Sequence, residues 1–410
     1  MQRGERVVIT GLGAVTPLGA TWRDTWSGLV RGRSGVARIT GFDAGGMPTQ
    51  IAAEVKGFDP SAALSVKQLN RTSRASQFAI VAAREAVEDA GLTGELDGMT
   101  TGVIVNSAVS GFAEVQDATE LFRAGGRLSP RFVPSAITNM PACEIAIDLG
   151  LHGPVNASAL ACASGAYALL EARRLLLAGE AETVIAGGTD AAITPVMFAG
   201  LNAMHALSKR NDAPAEASRP FDADRDGFVF GEGAVVFVME TLSHARERDA
   251  PVYAEVLGGA LTSDGFNVVA PEPTARYASE AIALALERAR LRAGDIDLVC
   301  AHGTSTVAND RTETLAIRQA LGEAADRVAV TAPKSMTGHL IGAAGALAGL
   351  VCAMAIRDGV IPPTINYTTP DPECSLDYVP GTAREQRVRR AITNAFGFGG
   401  QNCVVAFGAV

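Results

Sequence analysis

The chain alternates short apolar, β-rich runs with helical runs, and it does so in two similar successions. The first extends from "RVVITGLGAV" through "AETVIAGGTDAAI" to "GAVVFVMET", and the second begins after residue 249 with "PVYAEVLGGAL" and ends in "AITNAFGFGGQNCVVAFG". Strands that alternate with helices favour layered α/β folds, and a repeated succession indicates an internal duplication. No linker or low-complexity tract separates the two, so we expect residues 1–249 and 250–410 to be two half-folds that share one core.

The composition suits a large buried core and argues against several classes of protein. Of 410 residues, 48% are hydrophobic and 19% are charged, and the formal net charge is -9. No run of Lys or Arg stands out, so we expect neither nucleic-acid binding nor a polybasic membrane patch. No apolar stretch reaches the roughly 18 uninterrupted residues of a membrane span, and the N-terminus lacks the apolar core of a secretory signal. We therefore expect a cytoplasmic protein.

One cysteine lies where a predicted strand leads directly into a predicted helix, in "VNASALACASGAYALLEARRLLLAG". A helix that begins at Ala163 or Ser164 and ends at Gly179 places Cys162 at its N-terminus, where free amides and the macrodipole favour an anion. Such a position lowers the pKa of a thiol and makes it a better nucleophile. The small residues around it leave room for an acyl group. A plain core cysteine remains the alternative.

Two of the five histidines lie in glycine-rich segments that follow apolar strands: His302 in "CAHGTSTVANDRTE" and His339 in "APKSMTGHLIGAAGA". We expect their side chains in one pocket. Lys334, one of only four lysines among 35 Lys and Arg residues, precedes His339, and Asp310 and Glu313 follow His302, so we expect the lysine to pair with a carboxylate. A metal site is the rival interpretation, but the chain has no short-spaced ligand pair such as HExxH and no CxxC pair. We expect no metal.

Seven long motifs occur in the order of one enzyme family. They are "VVITGLGAVTPLG", "ACASG", "SRPFDADRDGFVFGEGA", "AHGTST", "KSMTGHLIGAAGA", "GVIPPTINY" and "NAFGFGGQN". Over nearly its whole length the chain resembles the elongating β-ketoacyl-acyl-carrier-protein synthases of the thiolase superfamily, in particular the synthase II type. The resemblance implies a thiolase-like α/β fold, which is a duplicated, five-layered αβαβα architecture with two mixed sheets.

The resemblance also implies an acyltransferase that performs a decarboxylative Claisen condensation. An acyl group passes from acyl carrier protein to the thiol of Cys162, malonyl on a second carrier protein loses carbon dioxide, and the resulting enolate attacks the acyl thioester. The substrates are carried on the phosphopantetheine arm of the carrier protein, so no metal or organic cofactor is implied.

Individual residues match positions of known role in that family. His302 and His339 would donate hydrogen bonds to the thioester oxygen as the enolate forms, with Lys334 and Glu313 as a supporting electrostatic pair. The backbone N–H groups of Cys162 and Phe398 would form the oxyanion hole. The remaining matches are the mobile gate of Phe396 and Phe398, the phosphopantetheine contacts Thr304 and Thr306, and the acyl-pocket residue Val109.

Two segments depart from the pattern of the fatty-acid members. "LAC" replaces Thr-Ala-Cys before the nucleophile, and "STVANDRTE" has Val307 in place of Pro and Asn309-Asp310-Arg311 in place of Gly-Asp. The Asn-Asp-Arg run is similar to the ketosynthase subunit of type II polyketide systems. It favours a polyketide or polyene pathway over housekeeping fatty-acid synthesis. A homodimer is expected in the fatty-acid case, and a homodimer or a heterodimer with a chain-length-factor subunit in the polyketide case.

Other classes fit less well. A degradative thiolase uses a second catalytic cysteine in a C-terminal Cys-Gly-rich motif, whereas Cys403 follows Gln-Asn. An initiating synthase carries a Cys-His-Asn set, whereas "TGH" places His339 where its Asn would be. A chain-length factor, which binds but does not catalyse, is the non-enzyme alternative. For docking of an acidic carrier protein we name four candidates: Arg71, Arg74, Arg127 and Arg131.

Overall fold

The computed structural model describes residues 5–410. Its strands are β1 (Val7–Val15), β2 (Ala37–Arg38), β3 (Ile51–Ala52), β4 (Thr101–Asn106), β5 (Val155–Asn156), β6 (Thr183–Asp190), β7 (Gly233–Thr241), β8 (Ala254–Ser263), β9 (Leu298–Cys300), β10 (Ala329–Thr331), β11 (Val360–Ile361), β12 (Arg384–Glu385), β13 (Arg390–Gly397) and β14 (Gln401–Gly408). Its α-helices are α1 (Trp22–Val30), α2 (Val66–Leu69), α3 (Arg74–Asp89), α4 (Phe112–Arg123), α5 (Phe132–Ala136), α6 (Met140–Leu149), α7 (Ser164–Ala178), α8 (Pro195–Ala203), α9 (Leu242–Glu247), α10 (Arg276–Ala289), α11 (Val307–Leu321), α12 (Lys334–Thr337) and α13 (Ala344–Asp358).

Two sets of five strands are built in the same way. The set β5-β4-β6-β7-β1 and the set β10-β9-β13-β14-β8 each have three neighbouring parallel strands followed by two antiparallel pairings, so only the fourth strand, β7 or β14, runs against the other four. Within each set the strands are visited in the same order along the chain. The repeated succession in the sequence thus corresponds to a repeated strand topology. The boundary at residue 249 stays a prediction, and it lies in the segment between β7 and β8.

The two sets join edge to edge, which modifies the expectation of two separate sheets. Strands β1 and β8 exchange backbone hydrogen bonds at two residue pairs, Val8 with Glu255 and Ile9 with Ala254. The result is one ten-stranded mixed sheet. Such a join satisfies polar backbone groups that would otherwise lie unpaired on two edge strands.

Helices cover both outer faces of the two strand sets and fill the space between them, in the predicted αβαβα order. Helices α3 and α6 pack on the first set, α10 and α11 on the second, and α7 and α13 form the middle layer. Three hydrophobic cores follow from these layers. The middle layer is dense because glycine lets the helices approach: a Cβ added at Gly345 of α13 would lie 2.6 Å from the backbone nitrogen of Ala166.

The segment Ile341–Asp358, which includes α13, is long and apolar enough to cross a membrane. In the fold, however, 83% of it is buried inside the protein. Its position in the middle layer accounts for its composition, because a helix enclosed on all sides is apolar on all sides.

Glu85 of α3 turns its carboxyl group toward β1 and the first turn of α1. It accepts hydrogen bonds from the backbone nitrogens of Ala14 at 2.9 Å and Trp22 at 3.0 Å. Burial raises the pKa of Glu85 from 4.5 to about 7, in spite of these bonds. The folded state therefore binds this proton more tightly than the unfolded chain does, and its stability falls as the pH rises from about 4.5 through about 7.

We predict that Glu85→Gln, which keeps an acceptor oxygen, removes this loss. The wild-type chain should lose stability on the order of 2 kcal/mol between about pH 5 and about pH 8 from this group, once its partial exposure is allowed for. Thermal unfolding of both proteins across this range measures the difference. A variant whose Tm depends on pH as steeply as that of the wild type would contradict the assignment.

Candidate active site

The two halves meet around one large cavity of about 990 Å³. The loops that follow β4 and β9, the turn before α7, the segment before α13 and the β13–β14 turn all contribute to its wall. Nine of the ten predicted site residues line it: Val109, Cys162, His302, Thr304, Thr306, Glu313, His339, Phe396 and Phe398. The tenth, Lys334, is buried directly behind His302.

Cys162 lies in a tight 3₁₀ turn that leads without a loop into α7, which ends at a left-handed Gly179 as the sequence predicts. The residue before it, Ala161, has a φ of 46°, a region that non-glycine residues seldom occupy. Such strain persists only where the surroundings impose it, and here it sets the thiol at the cavity wall with 7% of its surface exposed.

The expected direction of the Cys162 pKa shift is wrong for the unliganded protein. Burial raises the pKa of the thiol to about 11, although the charge of Lys334 and the backbone N–H of Phe398 both act to lower it. Loss of water around the sulfur therefore outweighs the neighbouring positive charge. In the resting site the group is a thiol, and the backbone N–H groups of Phe398 and Cys162 both face it.

The two histidines lie side by side, with ring centroids 5.4 Å apart and planes at 85°. Nδ1 of His339 accepts a hydrogen bond from the backbone nitrogen of Ile341 at 3.1 Å, so its proton must be on Nε2. That Nε2 is buried and has no hydrogen-bond partner among residues 5–410. Nδ1 of His302 lies 3.3 Å from the ammonium of Lys334, which likewise leaves the proton on Nε2. Both rings are therefore fixed as Nε2–H donors.

Both imidazoles are neutral. Burial, with the charge of Lys334, lowers the pKa of His302 and the pKa of His339 well below the ordinary value of 6.5. A neutral ring with a defined N–H proton is suited to stabilise negative charge that develops on an oxygen nearby.

Lys334 and Glu313 do not form the direct ion pair that we expected. No oxygen of Glu313 lies within 4.0 Å of the ammonium in the part of the chain described. Lys334 instead donates to the ring and to the carbonyl oxygen of His302. Glu313 accepts from the backbone nitrogens of His302 and Gly303, both at 2.7 Å. The two charges thus hold His302 from opposite ends.

Two asparagines that the sequence analysis did not assign complete this arrangement. The amide of Asn394 donates to Glu313 at 3.0 Å, and that of Asn309 donates to the same carboxylate at 3.4 Å. Burial raises the pKa of Glu313, and the hydrogen bonds from Gly303, Asn394 and His302 act to lower it. Asn394 is the first residue of the motif "NAFGFGGQN", which the sequence analysis identified without assigning a function to this asparagine. Asn309 is the first residue of the unusual Asn-Asp-Arg run.

The β13–β14 turn covers one side of the cavity. Phe396 packs against His302, with centroids 5.9 Å apart, whereas the ring of Phe398 is 40% exposed. Two backbone hydrogen bonds of 2.9 Å join this turn to the segment after β8. The nitrogen of Gly399 donates to the carbonyl of Val268, and the nitrogen of Asp264 donates to the carbonyl of Gly400.

The hydroxyls of Thr304 and Thr306 lie 2.9 Å apart, and both residues line the cavity wall.

One part of the cavity wall is apolar. It includes five residues of a single hydrophobic cluster: Val109, Met197, Leu201, Phe230 and Ile341. An apolar pocket that also contains a buried thiol can hold an alkyl or polyene chain and keep its thioester away from water.

Comparison with known proteins supports what the geometry indicates. The model for "Beta-ketoacyl synthase, N-terminal domain" matches residues 4–245, and that for "Beta-ketoacyl synthase, C-terminal domain" matches residues 253–368. The chain belongs to the β-ketoacyl synthase family. It is accordingly an acyltransferase. Relatives include the 3-oxoacyl-[acyl-carrier-protein] synthase 2 of Synechocystis, 46% identical over 98% of both chains, and that of Coxiella burnetii, 44% identical over 97% of both chains.

Solved structures of ketosynthases share the fold over the whole length of the chain. The ishigamide ketosynthase/chain length factor superposes with a TM-score of 0.93 at 36% identity, covering 99% of both chains. A type II polyketide synthase acyl-carrier protein in complex with its ketosynthase bound to the hexaketide gives a TM-score of 0.91 at 30% identity, covering 99% of this chain and 100% of that chain. The thiolase-like fold is thus confirmed.

The four arginines named for carrier docking divide into two pairs. Arg71 is paired with Glu144 and Arg74 with Glu232, each at 2.7 Å, so their charges are compensated within the protein. Arg127 and Arg131 are exposed and form no ion pair among residues 5–410. Only the second pair offers a free positive charge to an acidic partner.

We predict that Gly397→Ala slows acyl transfer to Cys162. The added Cβ would lie 2.8 Å from the carbonyl oxygen of Leu160 and 3.2 Å from the nitrogen of Cys162, so the turn that carries the thiol and strand β13 must shift relative to each other. A displacement of this kind can cost about 100-fold in rate. The rate is measured from the intact mass of samples in which the acylation reaction is quenched at successive times. As a control, Gly200→Ala adds a Cβ that meets nothing within 4 Å, and it should react like the wild type. Equal rates for both variants would contradict the prediction.

We also predict a flat pH dependence for malonyl decarboxylation. Since both imidazoles are neutral, the rate should stay constant from about pH 8 to about pH 6. Burial lowers the pKa of both histidines and the charge of Lys334 lowers it further, so Lys334→Met should move the acidic limb to higher pH than in the wild type. Release of carbon dioxide measures the profile. A wild-type acidic limb centred near 6.5 would show that the imidazoles titrate normally.

Proposed function

We propose that the protein is a β-ketoacyl-acyl-carrier-protein synthase that condenses an acyl chain on Cys162 with malonyl-acyl carrier protein. The observation that carries the proposal is the pair of neutral Nε2–H donors of His302 and His339 on the wall of a cavity that also exposes the thiol. An enolate oxygen needs such donors in a site that water does not enter. The reaction requires no metal or organic cofactor.

In the first half-reaction, the sulfur of Cys162 attacks the carbonyl carbon of the acyl thioester that is carried on acyl carrier protein. A carbon–sulfur bond forms to Cys162 while the bond to the pantetheine sulfur breaks, and the thiol proton ends on the departing sulfur. The backbone N–H groups of Cys162 and Phe398 face the sulfur of Cys162 and are placed to bind the tetrahedral oxyanion.

In the second half-reaction, the malonyl carbon–carbon bond breaks and carbon dioxide leaves. The remaining enolate oxygen accepts hydrogen bonds from His302 and His339, and the carbanionic carbon attacks the thioester on Cys162. Collapse of the intermediate expels the thiolate, which takes up a proton because the pKa of the buried thiol is about 11. The enzyme thereby returns to its resting thiol form, and one proton is consumed per cycle.

Intact-mass measurement tests this proposal. The protein is incubated with acyl carrier proteins that bear saturated or polyunsaturated chains, and the wild type should gain one acyl group where Cys162→Ala gains none. His339→Ala should still be acylated but should lose decarboxylation by about 100- to 1000-fold. Absence of any adduct with the wild type, or an adduct that persists in Cys162→Ala, would sink the proposal.

For the pathway, we propose biosynthesis of a polyketide or polyene in a type II system. Support comes from the Asn309-Asp310-Arg311 run, whose Asn309 lies on the cavity wall and contacts Glu313. Housekeeping fatty-acid elongation is the second candidate, and the identity of 46% to a synthase 2 favours it. Faster acylation by polyunsaturated donors supports the first, and faster acylation by saturated donors supports the second.

We further propose that the protein pairs with a second chain of the same fold. Helices α4, α5 and α6 and the edge strand β5 form an exposed face, on which Phe122 is 68% exposed, Val133 62% and Ile147 58%. Apolar groups in this number are unusual on the surface of a monomer, and strand β5 leaves one backbone edge unpaired. The partner is a second copy or a chain-length-factor-like subunit.

The mass of the purified chain in solution distinguishes these partners, since a dimer identifies a second copy and a monomer points to a different subunit. Ile147→Asp should dissociate a homodimer or weaken binding of the other subunit by about tenfold or more. Val410→Asp changes an exposed apolar residue outside this face and should have no effect. An assembly that resists Ile147→Asp would show that the face is not the interface.

A further inference from the structure

The repeated topology gives the turn of Cys162 a counterpart in the second half. Helices α7 and α13 each have 15 residues and each end at a left-handed glycine, Gly179 or Gly359. Each follows a 3₁₀ turn whose first residue has positive φ, 46° at Ala161 and 50° at Ile341. Counted from these turns, the residue equivalent to Cys162 is Gly342.

The strands that follow these helices are equivalent as well. Strands β6 and β13 each have eight residues and occupy the same place in their sets. Their last residues are Asp190 and Gly397. Gly397 lies against the nitrogen of Cys162, whereas the carboxylate of Asp190 accepts a hydrogen bond from the nitrogen of Gly342 at 2.7 Å. The turn of Gly342 thus meets a carboxylate at the position where the turn of Cys162 meets a glycine.

Three more donors surround this carboxylate. The hydroxyl of Ser107 donates to it at 2.6 Å, the nitrogen of Val109 at 3.0 Å and the nitrogen of Ala108 at 3.1 Å. The Asp190 side chain is fully buried. Burial raises the pKa of Asp190 to about 6, and the four bonds act to lower it, so the group is ionised at neutral pH.

The four donors come from two segments of the chain that lie against each other and that both contribute to the cavity wall. Ala108 and Val109 line the cavity, and so does Ile341, which precedes Gly342. The nitrogen of Ile341 also donates to the ring of His339. One carboxylate therefore ties the acyl-pocket loop to the turn that orients a histidine.

We propose that Asp190 is a positioning residue that sets the width of the acyl pocket and, through it, the length of chain that Cys162 accepts. This inference rests on the proposed function. Without the carboxylate, four donors lose their common acceptor, and the loop at 107–109 is no longer held to the turn at 341–343, so the pocket wall between them can give way. The pocket then discriminates less strongly against long chains, since each methylene contributes to selectivity.

The test compares acylation of Cys162 by carrier proteins bearing hexanoyl and hexadecanoyl chains. Asp190→Asn keeps the volume of the side chain but replaces one acceptor oxygen by an amide N–H₂, which cannot accept hydrogen bonds from the four donors. The ratio of the long-chain acylation rate to the short-chain acylation rate should therefore rise by about fivefold or more. Intact mass gives both rates on the same preparation, and a loss of folded protein cancels in the ratio. A role in stability alone would slow both donors equally.

Ser107→Ala removes a single donor and should shift the ratio in the same direction by a smaller factor, which provides a test if Asp190→Asn does not fold. Glu85→Gln is the matched control, because it alters a buried carboxyl that accepts backbone bonds away from the cavity. Its ratio should equal that of the wild type. The inference would be overturned if Asp190→Asn and Ser107→Ala had the same ratio of long-chain to short-chain rates as the wild type, or a lower one. Failure of the wild type to be acylated would instead overturn the proposed function.

Discussion

The close packing of α7 against α13 is the contact on which the rest of the structure depends. Glycines at the start of both helices replace side chains with backbone contact: a Cβ at Gly165 would lie 2.6 Å from the carbonyl oxygen of Gly342, and one at Gly345 would meet Ala166. Because each helix starts from a strained turn, this packing brings both turns to one place. Cys162 from one half and His339 from the other therefore face a common cavity.

Burial then determines the chemistry of that cavity. A charge removed from water is stabilised only by specific partners, and the site holds Lys334 and Glu313 on opposite ends of His302. The same lack of water keeps both imidazoles neutral and Cys162 protonated. Lys334 thus holds the ring and carbonyl of His302 from behind the cavity wall, and Glu313 holds its backbone nitrogen.

Much of this was predictable from the sequence, because the features concerned are local. The alternation of strands and helices indicated the layers, the resemblance to one family marked nine of the residues that line the cavity, and the junction at Cys162 indicated the start of α7. The rest depends on contacts between distant residues. Neither the desolvation of the thiol nor the path from Lys334 to Glu313 through His302 has a sequence signal. Asp190 closes "AGGTD" and shows no motif, since its donors come from residues 107–109 and 342.

The narrow join between β1 and β8 bears on the history of the fold. Two residue pairs of backbone contact cannot hold two halves together, so cohesion comes from the middle layer, to which each half contributes one helix. Separated from its neighbour, either half would expose that helix and one face of its strands to water. An ancestral single half would thus have existed only as a self-associating pair. In the present chain the two halves differ at this turn, with a thiol in one and a glycine in the other, yet each half still needs the helix of its neighbour to cover its strands.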